Sequence, residues 1–266
     1  MNRSIVLLRG LSRGTEHWLD FPALLQATFT QDKIFCIDLA GNGYRVNEQS
    51  PNNLQSALLD LKKQLQLIPA PYYVIGLSLG AMLWLNAIEN NTIEIKKAVL
   101  INPSHAMNSA TQRIKPLSLM RLLLSLLLSR EYQEKTIYKL TSQNHNHRQK
   151  KNVIQYWLSI QRHYPFRLHN LWRQLCLAKD CNINLTSSHP EQQLIIASIK
   201  DQLVNPACSA QIAQALNSPI CYHQRAGHDI ALDDANWLIH QCRYFFDDIT
   251  DNLASTRQTI KPTIDC

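Results

Sequence analysis

Glycine is scarce in this chain: 7 of 266 residues, against an average usage of about 7%. Charged residues are also few, at 18%, while apolar ones reach 45%, the balance of a globular chain with a large core. No run approaches the roughly 18 consecutive apolar residues that a membrane-spanning helix needs. The seven cysteines (Cys36, Cys176, Cys181, Cys208, Cys221, Cys242, Cys266) are odd in number and follow no paired spacing. That argues against a disulfide framework and for reduced thiols. Residues 1–9 carry no long apolar stretch of the secretory type, so a cytoplasmic location is expected. No internal repeat and no nucleic-acid-binding motif occurs. His145 and His147 share a polar, basic loop without convincing metal partners, and no metal or other cofactor is expected.

The few glycines that remain sit in four short loops: Gly10 and Gly14, Gly41 and Gly43, Gly76 and Gly80, and Gly227. Glycine is required where a backbone takes φ > 0 or passes close to another group. One loop reads Gly76-Leu77-Ser78-Leu79-Gly80. Before it, Tyr72 to Ile75 is a short β-branched and aromatic run bounded by Pro69 and Pro71, which predicts a buried strand. After it, Ala81 to Ile88 predicts a helix that is apolar on all sides. A Gly-x-Ser-x-Gly between strand and helix is the context of a nucleophile elbow, in which the serine sits on a sharp turn at a helix N-terminus. Ser78 is therefore the candidate nucleophile. A chance match in a turn is the competing reading.

A serine hydroxyl needs an adjacent base. In a chain of this kind an acid and then a histidine follow the serine, each after a later strand. Gln193 to Ile199 predicts such a strand and runs into Asp201, with a helix from Ala207 to Leu216. Pro219 to His223 predicts the next strand and leads to Gly227-His228-Asp229, with a helix opening near Asp233. Asp201 and His228 thus fall just past strand C-termini, where open α/β sheets bind ligands. His228 would take the Ser78 proton and Asp201 would orient the imidazole. Asn102, after the strand Ala98 to Ile101, occupies the place of a competing acid. Oxyanion donors are expected at the backbone N–H of Leu79, the residue after the serine, and of Leu11, in the loop after the strand Ser4 to Leu8. Arg9, Arg13 and Arg225 lie near these loops; each would either clamp a substrate carboxylate or, more simply, be solvated on the surface.

These residues give the chain a resemblance to the α/β-hydrolase superfamily over nearly its whole length. Leu7-Leu8-Arg9-Gly10-Leu11 looks like the oxyanion loop of that family, and Ile37-Asp38-Leu39-Ala40-Gly41-Asn42-Gly43 is similar to its Asp-Leu-Pro-Gly-His-Gly loop. The chain most resembles the small lidded bacterial carboxylesterases, including the pimeloyl-carrier-protein methyl ester esterase type; Trp18 stands eight residues after Gly10, as there. It departs at Arg9 for the usual His, Ala40 for Pro, and Ala81 for a frequent second Gly. The resemblance implies a mostly parallel, twisted sheet with helices on both faces and an inserted helical cap. It further implies hydrolysis of a carboxylic ester or thioester through an acyl-enzyme at Ser78. A C–C bond hydrolase, an acyltransferase, a lyase with the same triad and a non-catalytic binding module stay open as alternatives.

Residues 103–189 predict helices almost throughout, and are expected to form the cap on a core made of 1–102 and 190–250. Residues 251–266 are polar and aperiodic, and are expected to form a flexible tail. Between Pro103 and Asp180 stand thirteen Lys and Arg against three acids, +10, while the whole chain is +7 and the remainder therefore −3. Such a face would attract an acidic carrier protein or an anionic membrane surface, or would be a set of solvated helix faces. Leu117 to Leu128 is apolar on nearly every side. The expected role is a lid helix packed against an acyl pocket and other cap helices. The sharper alternative is a lid that meets lipid, with Arg113, Lys115, Arg121 and Arg130 toward headgroups.

Overall fold

The computed structural model describes residues 2–182 and 190–248; the expected tail and the end of the expected cap, 183–189, lie outside the described residues. Six strands form one sheet: β1 (Ser4–Leu8), β2 (Lys33–Ile37), β3 (Tyr72–Leu77), β4 (Ile95–Ile101), β5 (Gln193–Ser198) and β6 (Ile220–His223). Their order is β2-β1-β3-β4-β5-β6, and every neighbouring pair is parallel. Parallel strands need crossovers, so helices cover both faces and the strands read as continuous apolar runs. The run Ser4–Leu8 is buried along its full length.

The pleat divides these strands between two cores. Val6, Leu8, Val74, Ala98, Leu100 and Ile195 face one side, and there meet helices α2 (Leu54–Leu65), α3 (Leu79–Glu89) and α9 (Ala207–Leu216). Ile5, Leu7, Ile75, Val99, Ile101 and Ile196 face the other side, against α1 (Phe21–Thr28) and α11 (Ala235–Phe246), with the single turn α10 (Ile230–Asp233) preceding α11. α3 is the central element. Every residue from Leu79 to Ile88 is buried, as its apolar sequence requires.

Successive strands step to one side of the sheet from β1 to β2 and to the other side from β3 through β6, so the strand order reverses between β1 and β3. Loops leaving the C-terminal ends of strands on the two sides of such a point splay apart and open a crevice. The loop after β1 carries Gly10 and Leu11; the turn after β3 carries Ser78.

Between β4 and β5 the chain inserts α4 (Ala110–Arg113), α5 (Pro116–Ser125), α6 (Arg130–Thr141), α7 (His147–His163) and α8 (Leu168–Asp180). α6 and α7 have a small core of their own around Tyr138, Val153, Ile154, Trp157 and Ile160. α8 behaves differently: its Leu177 joins the main core beside α2, and its buried Asn170 and Gln174 bond to the loops after β1 and β2. α5 also departs from expectation. Its buried residues are Ser118 and Ser125, Leu122 is half-buried, and Leu117, Leu119, Leu123 and Leu124 are exposed. Arg113 and Lys115 turn inward instead of toward solvent: the Arg113 guanidinium donates to the Ala178 carbonyl, and Lys115 Nζ donates to the Asp201 carbonyl at 2.6 Å. Among the described residues no helix is long and apolar enough to cross a membrane.

Leu83 lies at the middle of α3 with no exposed surface. Leu83→Ala should lower stability by about 2–5 kcal/mol, through lost transfer energy and the cavity left behind. Urea unfolding followed by far-UV dichroism measures this, and a loss under about 1 kcal/mol would contradict the packing described.

Candidate active site

Ser78 holds φ 57° and ψ −116°, a conformation few non-glycine residues adopt. The surroundings impose it. A Cβ at Gly80 would stand 2.4 Å from the Leu8 carbonyl oxygen, and one at Gly76 would stand 2.6 Å from the Ala81 nitrogen. Without side chains at those two positions β3 and α3 close on each other and on the end of β1, and Ser78 is pushed to the tip between them. Its own N–H donates to the Ile101 carbonyl at 2.9 Å, which fixes the turn to β4.

Asp201 and His228 come together from loops 27 residues apart. His228 Nδ1 lies 2.6 Å from Asp201 Oδ2, and both side chains are buried. The other carboxylate oxygen accepts from the backbone N–H of Leu203 at 2.7 Å and of Val204 at 3.0 Å. One oxygen is thus anchored and the other is aimed at the imidazole. Burial works to lower the His228 pKa, but the charge and hydrogen bond of Asp201 outweigh it and hold the ring above its ordinary value. With Nδ1–H given to Asp201, Nε2 is the nitrogen left to act as base.

Leu79 is the first residue of α3, so its N–H has no partner within the helix. The Gly10 backbone lies against the same point. A Cβ on Gly10 would be 3.0 Å from Ser78 Cβ and 3.6 Å from the Leu79 nitrogen. The loop bearing Leu11 is therefore beside Ser78, as the oxyanion reading of Leu11 and Leu79 requires. The Leu79 N–H at the helix N-terminus and the Gly10 loop therefore border Ser78 on the side where positive potential would favour a tetrahedral oxyanion.

The neighbouring arginines differ from expectation. Arg9 and Arg13 are neither solvated nor open to substrate. Arg9 is 4% exposed and forms a two-pronged ion pair with Asp229, at 3.2 and 2.6 Å, with its guanidinium 4.7 Å from the Trp18 ring centre. Arg13 pairs at 2.7 Å with Glu134 of α6, itself 1% exposed, and stacks 4.5 Å from the centre of the Trp157 ring in α7. The first pair ties the oxyanion loop to the residue after His228; the second ties it to the inserted helices. Arg225 is exposed, as expected. His145 and His147 are exposed at the start of α7.

Asn102 is a site residue that the sequence marks only as a missing acid. It takes φ 48° at the end of β4. Its Nδ2 donates to the His228 carbonyl at 2.8 Å and to Ser198 Oγ at 3.0 Å, while its Oδ1 accepts from Ser198 N–H at 2.8 Å. Asn102 thus holds the histidine loop to the sheet. Asp38, in the loop after β2, has a similar duty: its carboxylate accepts from the N–H groups of Thr15 at 2.6 Å and Tyr44 at 2.9 Å, joining two of the glycine loops.

Comparison with known proteins agrees with this frame. A family model described as serine aminopeptidase, S33, matches residues 3–235. A search of curated protein sequences finds no match. Among solved structures, a serine hydrolase from the polyaromatic hydrocarbon-degrading bacterium Cycloclasticus zankles is similar with a TM-score of 0.75 at 17% identity, over 94% of this chain and 92% of that one. The enol-lactonase from Burkholderia xenovorans gives 0.69 at 15% identity, over 93% and 92%. An alpha/beta hydrolase fold protein from Chitinophaga pinensis gives 0.70 at 14%, over 93% and 90%. At these identities the likeness concerns the fold.

The histidine must be neutral to accept a proton, so a rate that depends on it rises as pH passes its pKa. Because the folded-state pKa of His228 is raised, the acid limb of kcat/KM should lie above about pH 6.5. The Asp229 charge raises that pKa and Arg9 lowers it. Asp229→Asn should therefore move the limb to lower pH, and a limb that stays in place would contradict the coupling.

Proposed function

The chain belongs to the serine aminopeptidase S33 family of α/β-hydrolases, and on that premise we propose that it cleaves a carboxylic ester or thioester through an acyl-enzyme on Ser78. The observation that supports this reading most is the buried Asp201–His228 pair, at 2.6 Å, together with a serine held at φ 57° on the strand-to-helix turn after β3. Ser78 Oγ attacks the carbonyl carbon as His228 Nε2 takes its proton. The N–H groups of Leu79 and Leu11 receive the oxyanion, each donor contributing about 3 kcal/mol to the barrier lowering. His228 returns the proton to the leaving alcohol or thiol, and the ester bond breaks. Water, deprotonated by the same nitrogen, then releases the acid and restores Ser78. Asp201 stays ionised and stabilises the imidazolium.

The enol-lactonase of similar fold acts, by its name, on a cyclic ester, and that supports an ester carbonyl as the electrophile here. The family description names an aminopeptidase, so an amide is the alternative to test in parallel.

A panel of p-nitrophenyl esters of increasing acyl length, with an aminoacyl p-nitroanilide alongside, tests the reading. Ester turnover is expected and anilide turnover is not. Ser78→Ala should fold normally and lose about 10⁴-fold or more in kcat, because triad members act as a unit. Asp201→Asn should lose about 10⁴-fold by favouring the wrong imidazole tautomer. Near-native ester turnover in Ser78→Ala would sink the proposal.

A further inference from the structure

We infer that α5 and the turn after it form a docking surface for an anionic lipid bilayer. Leu117, Met120, Leu123, Leu124, Leu127 and Leu128 are each 50–82% exposed. At 100° per residue the four from Leu117 to Leu124 share one broad arc of the helix, and Leu127 and Leu128 follow in the turn after it. Ser118 and Ser125, seven residues apart and so on one face, point the other way and are buried. Ser118 Oγ donates to the Gln202 carbonyl at 2.6 Å and Ser125 Oγ to the Leu122 carbonyl at 2.6 Å. The helix is thus amphipathic in reverse, with its small polar residues inward and most of its leucines outward. Water is a costly neighbour for so large a contiguous apolar face, and such faces mark interaction surfaces.

The charges around it identify the occupant. No Asp or Glu occurs between Glu94 and Glu131. Arg121 stands on the flank of the leucine arc, partly exposed, and Arg130 is exposed at the start of α6. α5 packs on α6 and α6 on α7. Between α6 and α7 opens a cleft of about 440 Å³, lined by His147, Lys150, Lys151 and Arg162, and by Lys135 paired with Glu131. Leucines match acyl chains and the cations match lipid phosphates, the composition of a helix that lies in a bilayer interface. A second copy of the chain fits less well. In a two-fold contact the same patch supplies both sides, so Arg121 and Arg130 would enter it twice with Glu131, already paired to Lys135, as the neighbouring acid.

α5 is also rigidly joined to the candidate acid loop. Lys115 N–H donates to the Leu203 carbonyl at 2.8 Å and Asn205 N–H to the Gln112 carbonyl at 2.9 Å, beside the Lys115–Asp201 and Ser118–Gln202 bonds already described. A bilayer seated on α5 therefore lies next to the Asp201 loop. That the ester would then come from the lipid phase rests on the function proposed above; the binding itself does not.

Flotation of the full chain with phosphatidylcholine vesicles, and with vesicles containing about 30% phosphatidylglycerol, tests the inference. Binding to the anionic vesicles should exceed binding to the neutral ones by about tenfold, and added salt should weaken it. Leu123→Ser with Leu127→Ser should cut binding about tenfold while leaving the melting temperature and turnover of a soluble ester unchanged. Arg121→Glu with Arg130→Glu should abolish the preference for anionic lipid. No flotation, flotation indifferent to the leucine changes, or a wild-type dimer that the leucine changes make monomeric would each overturn the inference. Binding to an acidic carrier protein but to neither vesicle would overturn it as well. Because flotation needs no catalysis, its failure and a failure of ester turnover are separate results.

Discussion

The site depends on a close approach of backbones. β3 and α3 meet at Gly76 and Gly80 with no room for a Cβ, and the end of β1 lies against the same turn. That contact sets three things at once. It holds Ser78 at positive φ, it leaves the Leu79 N–H uncommitted at a helix start, and it brings the Gly10 loop beside both. Two glycines out of a total of 7 therefore carry much of the geometry of the candidate site, and the buried α3 that follows supplies the rigidity such a turn requires.

Around this turn, long-range polar contacts hold the remaining groups. The Arg9–Asp229 pair is buried and bidentate, and joins the loop after β1 to the loop that carries His228. Asn102 fixes the same histidine loop from the opposite side through the His228 carbonyl. Asp229 N–H donates to the Thr141 carbonyl at 2.8 Å, so the end of α6 bears on that loop too. Buried ion pairs are a weak source of net stability, because desolvation opposes attraction. Their use here is geometric, as they fix which loops face each other.

The strands and turns that carry the triad candidates are legible because their signals are local. Gly-x-Ser-x-Gly, a strand ending before Asp201 and another ending before His228 each need only a few consecutive residues. β5, α9 and β6 were placed within a residue or so for the same reason. The burial of Arg9 and Arg13 was not legible, because each partner stands far away in the sequence: Asp229, 220 residues from Arg9, and Glu134, 121 residues from Arg13. α8 was grouped with the other inserted helices, yet its Gln174 and Leu177 belong to the main body, a fact of tertiary packing that its helical period does not carry. α5 misled more directly. A leucine-rich run normally predicts burial, but here two serines seven residues apart take the buried face, Ser118 bonded to the Gln202 carbonyl and Ser125 to the Leu122 carbonyl of its own helix, and the apolar majority is left outside.

The central claim is that Ser78 is a nucleophile activated by His228. Reaction of the whole protein with a fluorophosphonate, followed by intact mass and peptide mapping, tests it most directly. The expected result is a single adduct on the peptide bearing Ser78, formed quickly in the native protein and suppressed in His228→Ala. An unmodified protein, or an adduct on another residue that persists in Ser78→Ala, would contradict the account.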